Sequence, residues 1–231
     1  TVRGLKYVQE FHDNLTKIDK PKITKNKSKP YTKVTFIPDY KRLQIGGLTN
    51  DMIQLFQKRV YDIAGITQKN IKVKLNNELL NIKTFDHYVE KYIGKKEEKT
   101  RVSEESANRR WKYTVCITPY QEFTHVSFVN GIYTQKGGKH VDYIVNQITK
   151  KVCELIQKKK KVQVKPNTIK EQLMVFLDST IENPAFDSQT KDYLNTPVSK
   201  FGSSCEVSDK FIQQLCKLGV METACMLTDI K

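Results

Sequence analysis

The chain has 231 residues, of which 40 are Lys or Arg and 25 are Asp or Glu, for a formal net charge of +15 and a sequence pI near 9.5. Hydrophobic residues make up 38%, enough for the core of one large domain or two small ones. No apolar run approaches the roughly 20 residues that a membrane helix needs, and the basic surplus implies a polyanionic partner, with nucleic acid favoured over simple solubility. The start, Thr1-Val2-Arg3-Gly4-Leu5-Lys6, has neither an initiator Met nor the shape of a signal peptide, so the chain reads as an internal piece of something longer. Five cysteines (Cys116, Cys153, Cys205, Cys216, Cys225) are scattered without a CxxC, and the four histidines are not spaced as ligand pairs. That pattern predicts reduced thiols in an intracellular protein, with neither a disulfide frame nor a zinc site.

Leu5, Val8, Phe11 and Leu15 suit a short helix or an extended segment, and Lys17 to Lys29, polar and basic with Pro21 inside it and Pro30 just after it, reads as a loop. Tyr31 to Ile37 is rich in β-formers and stops at Pro38, which predicts a strand. Thr49 or Asn50 is placed to cap a helix with Met52, Ile53, Phe56, Val60, Ile63 and Ala64 at helical spacing, and Gly65 is placed to end it. Ile71 to Leu75, then Asn76-Asn77, then Leu79 to Ile82 predicts a hairpin. Gly94 to Arg110 carries almost no apolar residues and predicts a solvated loop or insertion.

Trp111, Tyr113, Val115 and Ile117 alternate with Lys112, Thr114, Cys116 and Thr118, the signature of a half-buried strand. Phe123 to Val129 is a second strand, expected to pair with it antiparallel. After Gly137-Gly138, the residues Val141, Ile144, Val145, Ile148, Val152, Leu155 and Ile156 define a long amphipathic helix that ends in Lys158 to Lys161. Leu173 to Leu177 is continuously apolar and reads as a central strand. A polar loop, Asp187 to Lys191, follows the break at Asn183-Pro184, and Ser208 caps a last helix with Phe211, Ile212, Leu215 and Cys216 inward. Mixed elements without strict alternation argue an α+β fold.

The chain has no P-loop, no GxGxxG after a strand and no GxSxG. The strongest electrostatic feature is Lys158, Lys159, Lys160 and Lys161, with Lys165 nearby and Lys150, Lys151 and Lys170 flanking. Four adjacent ammonium groups repel one another, and a phosphate backbone relieves that with a steep salt dependence. The plainer reading is a helix end whose cations favour the negative end of its dipole. Lysines without arginine forks or Asn/Gln base readers make phosphate contacts without sequence preference. Gly137-Gly138 offers backbone N–H groups to an anion, although a tight turn with close packing explains the pair better. His140 reads as a structural first-turn residue. Lys191 is ambiguous on its residues alone. A loop lysine is usually just solvated, yet one fixed ammonium beside an amide donor suits a terminal phosphate.

Four stretches then carry a resemblance. Ser127 to Val141, SFVNGIYTQKGGKHV, and Ile181 to Lys191, IENPAFDSQTK, resemble signature segments of the eukaryotic-type type II DNA topoisomerases. Tyr31 to Asp39 and Arg59 to Gly65 fit the same family in the same order. The resemblance implies that residues 1–85 are the last part of a GHKL ATPase domain, 86–207 a transducer domain with a left-handed βαβ crossover, and 208–231 a helical connection toward a DNA gate. It implies that Gln189, Thr190 and Lys191 reach the ATP γ-phosphate and that Lys158, Lys159, Lys160 and Lys161 bind DNA. It further implies Mg2+ in the full enzyme, homodimerisation, double-stranded DNA as partner, and action in the nucleus or at a site of viral DNA replication. The family's magnesium-holding asparagine, general-base glutamate, glycine-rich lid and cleavage tyrosine have no counterpart here, so the segment is not expected to hydrolyse ATP or cut DNA alone. The rival expectation is a non-enzymatic, ribosome-associated nucleic-acid-binding domain of similar fold.

Overall fold

A computed structural model describes residues 3–229. The chain forms two compact units, one up to Leu55 and one from Phe56 onward. In the first, β1 (Leu5–Val8) pairs antiparallel with β4 (Lys22–Lys25), and between them β2 (Phe11–His12) pairs with β3 (Lys17–Ile18). Lys17 to Lys29 is therefore not a plain loop. Its two strands are short and exposed, so no apolar alternation marks them. Their register is set instead by a turn in which Asp13, Asn14 and Leu15 all have positive φ. Conversely, Tyr31 to Ile37 forms no strand, and Val34, Phe36 and Ile37 stand 81%, 78% and 85% exposed. β-propensity reports fit to a neighbouring pleated surface, and no described strand runs beside Val34 to Ile37.

Helix α1 (Asn50–Ile66) is capped by Thr49, whose Oγ1 accepts from Met52 N–H at 3.3 Å. It does not stop at Gly65. That residue is helical and buried, and a Cβ there would lie 2.4 Å from Cγ of Tyr88. The glycine, one residue before the helix ends at Ile66, is also a packing notch. The hairpin of β5 (Lys74–Leu75) and β6 (Glu78–Leu79) turns on Asn76 and Asn77, both at positive φ, as a two-residue turn of this type requires. Helix α2 (Phe85–Ile93) follows, with Thr84 accepting from His87 N–H.

The stretch expected to be a solvated insertion holds β7 (Val102–Glu105), an edge strand of the main sheet. Arg101 beside it is buried. Its Nε and Nη2 donate to the two carboxylate oxygens of Asp86 at 2.8 and 3.1 Å, and Nη1 donates to Gly94 O at 3.1 Å. That guanidinium holds the Asp86 carboxyl below the usual carboxylate range. The residues that satisfy the charge lie on α2, so local composition does not reveal it.

Next come β8 (Trp111–Ile117), β9 (Thr124–Val129), β10 (Ile132–Tyr133), β11 (Gly137–Gly138), α3 (Lys139–Lys160), α4 (Pro166–Lys170), β12 (Leu173–Ser179) and β13 (Tyr193–Leu194). A short 3-10 turn at Val198–Lys200 leads to α5 (Asp209–Leu215) and α6 (Met221–Asp229), with Gly219 at the kink between the two helices. The main sheet runs β10-β9-β12-β8-β7. β8 and β9 do not pair with each other as expected. β12 inserts between them, antiparallel to β8 and parallel to β9. Parallel neighbours need a long crossover, here supplied by α3 and α4. The sheet is covered on both faces. Trp111, Tyr113, Val115, Val175 and Leu177 meet the buried face of α3, while Cys116, Phe128, Met174 and Phe176 meet Tyr88 and Val89 of α2. This double burial is why Thr114 and Cys116, expected to face solvent, are buried. The fold is α+β.

Gly65→Ala should destabilise the chain by about 1–3 kcal/mol, because the added methyl must push back the buried Tyr88 ring. A urea melt reads this, and a loss of only a few tenths would mean that the ring yields freely.

Candidate functional site

The segment Asp187 to Lys191 is the tip of a small closed loop. At its base, Asp187 N–H donates to Tyr193 O at 3.2 Å and Asn195 N–H donates to Ala185 O at 2.9 Å. Within the tip, Lys191 N–H donates to Ser188 O at 3.1 Å, the Ser188 and Thr190 hydroxyls lie 2.8 Å apart, and Thr190 Oγ1 donates to Asp192 Oδ2 at 2.8 Å. Lys191 sits at φ 60° with its ammonium 5.9 Å from the Phe186 ring centroid. The loop therefore uses the Thr190 hydroxyl internally and leaves Gln189 and Lys191 exposed. It presents one cation on a preformed turn, which suits a single anionic group.

The loop is fastened to the start of α3. Lys136 N–H donates to Asp192 O at 2.9 Å, and β11 pairs in parallel with β13, Gly137 opposite Tyr193 and Gly138 opposite Leu194. A Cβ on Gly138 would lie 2.4 Å from Leu194 N and 2.6 Å from its O. Two backbones meet there at a distance that no side chain permits, and Gly138 also has φ 137°. The glycine pair thus serves close packing, with strand–strand contact added to the tight turn.

His140, in the first turn of α3, is completely buried. Its Nε2 lies 3.1 Å from Thr134 Oγ1, which donates to Ser127 O at 3.0 Å. A hydroxyl has one proton. With that proton on Ser127 O, His140 Nε2–H donates to Thr134 and Nδ1 is a bare acceptor, buried without a partner in the structure. Burial, with a smaller contribution from the neighbouring His125, pushes the His140 pKa down to about 3. The imidazole is neutral and structural, as its position in the sequence suggests.

At the far end of α3, Lys158, Lys159 and Lys160 fill the last turn, and Lys161 caps it at φ 60° with its N–H on Gln157 O. All four are exposed, and among the described residues none forms an ion pair. Two of the flanking lysines are otherwise engaged. Lys151 Nζ donates to Val207 O at 2.6 Å and pairs with Glu206 and Asp209, and Lys170 lies over the Phe123 ring. A helix of 22 residues rises about 33 Å, so the lysine cluster and the Lys191 loop lie at opposite ends of one rod.

The middle of α3 holds the exit toward α5. Gln147 Nε2 donates to Cys205 O at 3.0 Å and its Oε1 accepts from Val207 N–H at 3.1 Å, so one side-chain amide acts as a strand partner. Glu104 accepts from Tyr113 OH, Ser208 Oγ and Ser208 N–H, fixing the start of α5 on β7. Sequence reading found the Ser208 cap but not Gln147, Glu104 or Lys151, because their partners lie about 60 to 100 positions away. The five cysteines are free thiols. Among the described residues, one group, Glu10, His12 and Asp19, brings possible metal-ligand atoms within 4.8 Å of one another. All three are exposed, and His12 already pairs with Asp19 at 3.2 Å.

Comparison with known proteins places this geometry. The DNA gyrase B family model matches residues 81–223. The chain belongs to the DNA gyrase B family. Within it, the chain is 43% identical to DNA topoisomerase 2 of Arabidopsis thaliana over 98% of its own length, and 41% identical to that of Saccharomyces cerevisiae over 93%. It is 40% identical over 95% of its length to DNA topoisomerase 2 of Acanthamoeba polyphaga mimivirus. The chain spans only 16% to 18% of these relatives. The crystal structure of the ATPase region of Saccharomyces cerevisiae topoisomerase II superposes with a TM-score of 0.88 at 40% identity, covering 98% of this chain and 58% of that one. The ATPase and transducer domains of DNA topoisomerase II from Balamuthia mandrillaris superpose equally well, at 34% identity.

In this gyrase B-family chain, His140 makes stability depend on pH with a defined sign. Its folded pKa lies below the ordinary 6.5, so the unfolded chain binds the proton first and stability falls as pH drops below about 6.5. His140→Gln, which keeps a group able to reach Thr134, should remove this dependence. The stability difference between parent and variant should shrink by on the order of 1.4 kcal/mol per pH unit between pH 6.5 and 4. Urea melts at both ends of that window check it, and a constant difference would count against it.

Proposed function

We propose that this chain is the coupling segment of an ATP-dependent type II DNA topoisomerase, linking events at a bound nucleotide to passage of one DNA duplex through another. The observation that carries the reading is its superposition, over 98% of its length, on the ATPase region of a topoisomerase II. In this reading residues 1–85 complete an ATPase domain, 86–207 form the transducer and 208–231 lead toward the DNA gate. The bare apolar segment at Val34, Phe36 and Ile37 supports the first assignment, because β-formers so exposed suit a strand whose partners belong to a preceding segment.

The Lys191 ammonium, at the tip of a preformed turn, pairs with the terminal phosphate of ATP, and Gln189 stands beside it with a free amide. Thr190 acts through the loop, since its hydroxyl is already bonded to Asp192. Mg2+, the adenine and the water-activating base fall to the preceding segment, because the loop offers a cation and amides rather than a metal-binding carboxylate set. When the terminal phosphate is present, Lys191 gains a charge partner. When it leaves, the ion pair is lost and the loop is released, a population shift driven by a group present in only one state. Lys158, Lys159, Lys160 and Lys161 contact the phosphates of a captured duplex. Relatives from plants, fungi and a virus suit a homodimeric enzyme acting in the nucleus or where a viral genome is copied. A ribosome-associated RNA-binding role explains the charge equally well but gives no reason for the Lys191 turn.

In a full-length enzyme carrying this segment, Lys191→Ala should lower ATP turnover about 10-fold or more, the scale on which one charge contact to a transferring phosphoryl group acts. Unchanged turnover and strand passage would end the assignment. Changing Lys158 to Lys161 to glutamine should weaken duplex binding and reduce the slope of log affinity against log salt by roughly 0.9 for every phosphate that the cluster no longer neutralises. An unaltered slope would remove the cluster from the interface.

A further inference from the structure

We infer that the β11–β13 pair, the Gly138 contact and the His140–Thr134–Ser127 chain form a clasp that locks the Lys191 loop to the start of α3. Gly138, Thr134 and His140 are then positioning residues for the coupling between that loop and the lysine cluster about 33 Å away. This rests on the reading of Lys191 and Lys158–Lys161 given above, and it names the part that joins them.

Three observations carry it. First, there is no slack. The residues bonded to the loop, Lys136 to Gly138, run directly into α3 at Lys139. Second, the junction is dry. Thr134, Gly137, Gly138, His140 and Leu194 are all buried, so the hydrogen bonds among Ser127, Thr134 and His140 have no water to exchange with, while Lys136 and Asp192 lie at the rim. Third, the junction is held from two sides. Ser127 lies on β9 in the main sheet, and its hydroxyl lies 2.7 Å from Thr134 Oγ1 and donates to Thr134 O at 3.1 Å. Thr134 in turn holds the first turn of α3 through His140. A movement of Lys191 toward a phosphate therefore pulls on β11, which runs straight into the first turn of α3. Because such coupling is reciprocal, a duplex on the lysine cluster biases the loop through the same junction.

The test uses full-length enzyme carrying this segment, with ATP turnover measured with and without a linear DNA duplex. Thr134→Val keeps the side-chain shape and removes the hydroxyl. It should leave KM for ATP and basal turnover within about twofold while cutting the DNA stimulation by about 5-fold or more, the lower end of typical coupling factors. Thr134→Ser should restore the stimulation, and its failure to do so would remove the hydroxyl from the mechanism. Full DNA stimulation in Thr134→Val, in an enzyme where Lys191→Ala lowers turnover, overturns the clasp and leaves the reading of Lys191 standing. An inert Lys191→Ala instead overturns that reading and the clasp with it. A measurement on the unaltered enzyme needs no variant to fold. The Thr134 amide, bonded to Ser127 O at 2.8 Å within the buried junction, should exchange slowly with and without a non-hydrolysable ATP analogue. Fast exchange in either state means that the clasp opens, which the inference forbids.

Discussion

A helix buried along one whole face moves as a rod, and the second unit is organised around one such helix. α3 presses Val141, Ile144, Val145, Ile148, Val152 and Ile156 against the sheet, all essentially inaccessible to water. Each such side chain contributes about 1.5–3 kcal/mol relative to exposure, so the helix cannot tilt or slide without exposing several of them together. Interiors packed this closely tend to switch between discrete arrangements and resist continuous deformation. Whatever is attached to α3 must travel with it or stay with it. Three things are attached: the Lys191 loop at its first turn, the exit segment toward α5 at Gln147 and Lys151, and the lysine cluster at its last turn.

The attachments differ in kind, and the difference follows from what each must do. At the first turn the contact is backbone to backbone and needs a residue without a Cβ. At Gln147 a side-chain amide replaces a strand partner for Cys205 and Val207, while Lys151 holds Val207 O and two carboxylates. Those contacts position the exit segment while leaving it off the sheet. At the last turn nothing in the described chain pairs with the lysines. Their charges face solvent beside the negative end of the helix dipole, which offsets only part of their mutual repulsion. An unrelieved cluster on the same helix as the paired Lys151 suits the duplex contact proposed above.

The long-period signals were legible in sequence. The apolar spacing of α3, the continuous apolar run of β12 and the Asn76-Asn77 turn each name their element, because helix faces, buried central strands and tight turns are written locally. The Lys191 tip could be placed on a loop, and the lysine cluster at a helix end, for the same reason. What was illegible depended on partners far away in the chain. Arg101 reads as solvated until Asp86 is brought beside it. β8 and β9 read as a hairpin until β12, some 45 residues downstream of β9, takes the place between them. The strands from Lys17 to Lys25 lack a buried face and so lack a pattern, while Tyr31 to Ile37 has the pattern but no described strand runs beside Val34 to Ile37.

Gly65 and Gly138 make the same point from the opposite side. The sequence reads a glycine near a helix end as termination and a glycine pair before a helix as a tight turn with close packing. In the first case the residue is a notch for the Tyr88 ring, one position before the helix ends at Ile66. In the second it is the meeting point of two backbones. The chemistry of glycine is identical in both, namely the missing Cβ. The missing atom says that something approaches closely, and only the fold says what. At Gly138 what approaches is the backbone of Leu194, three residues beyond Lys191. The spacing between a loop cation and the residue that anchors it is thus set by a contact that any larger side chain would break.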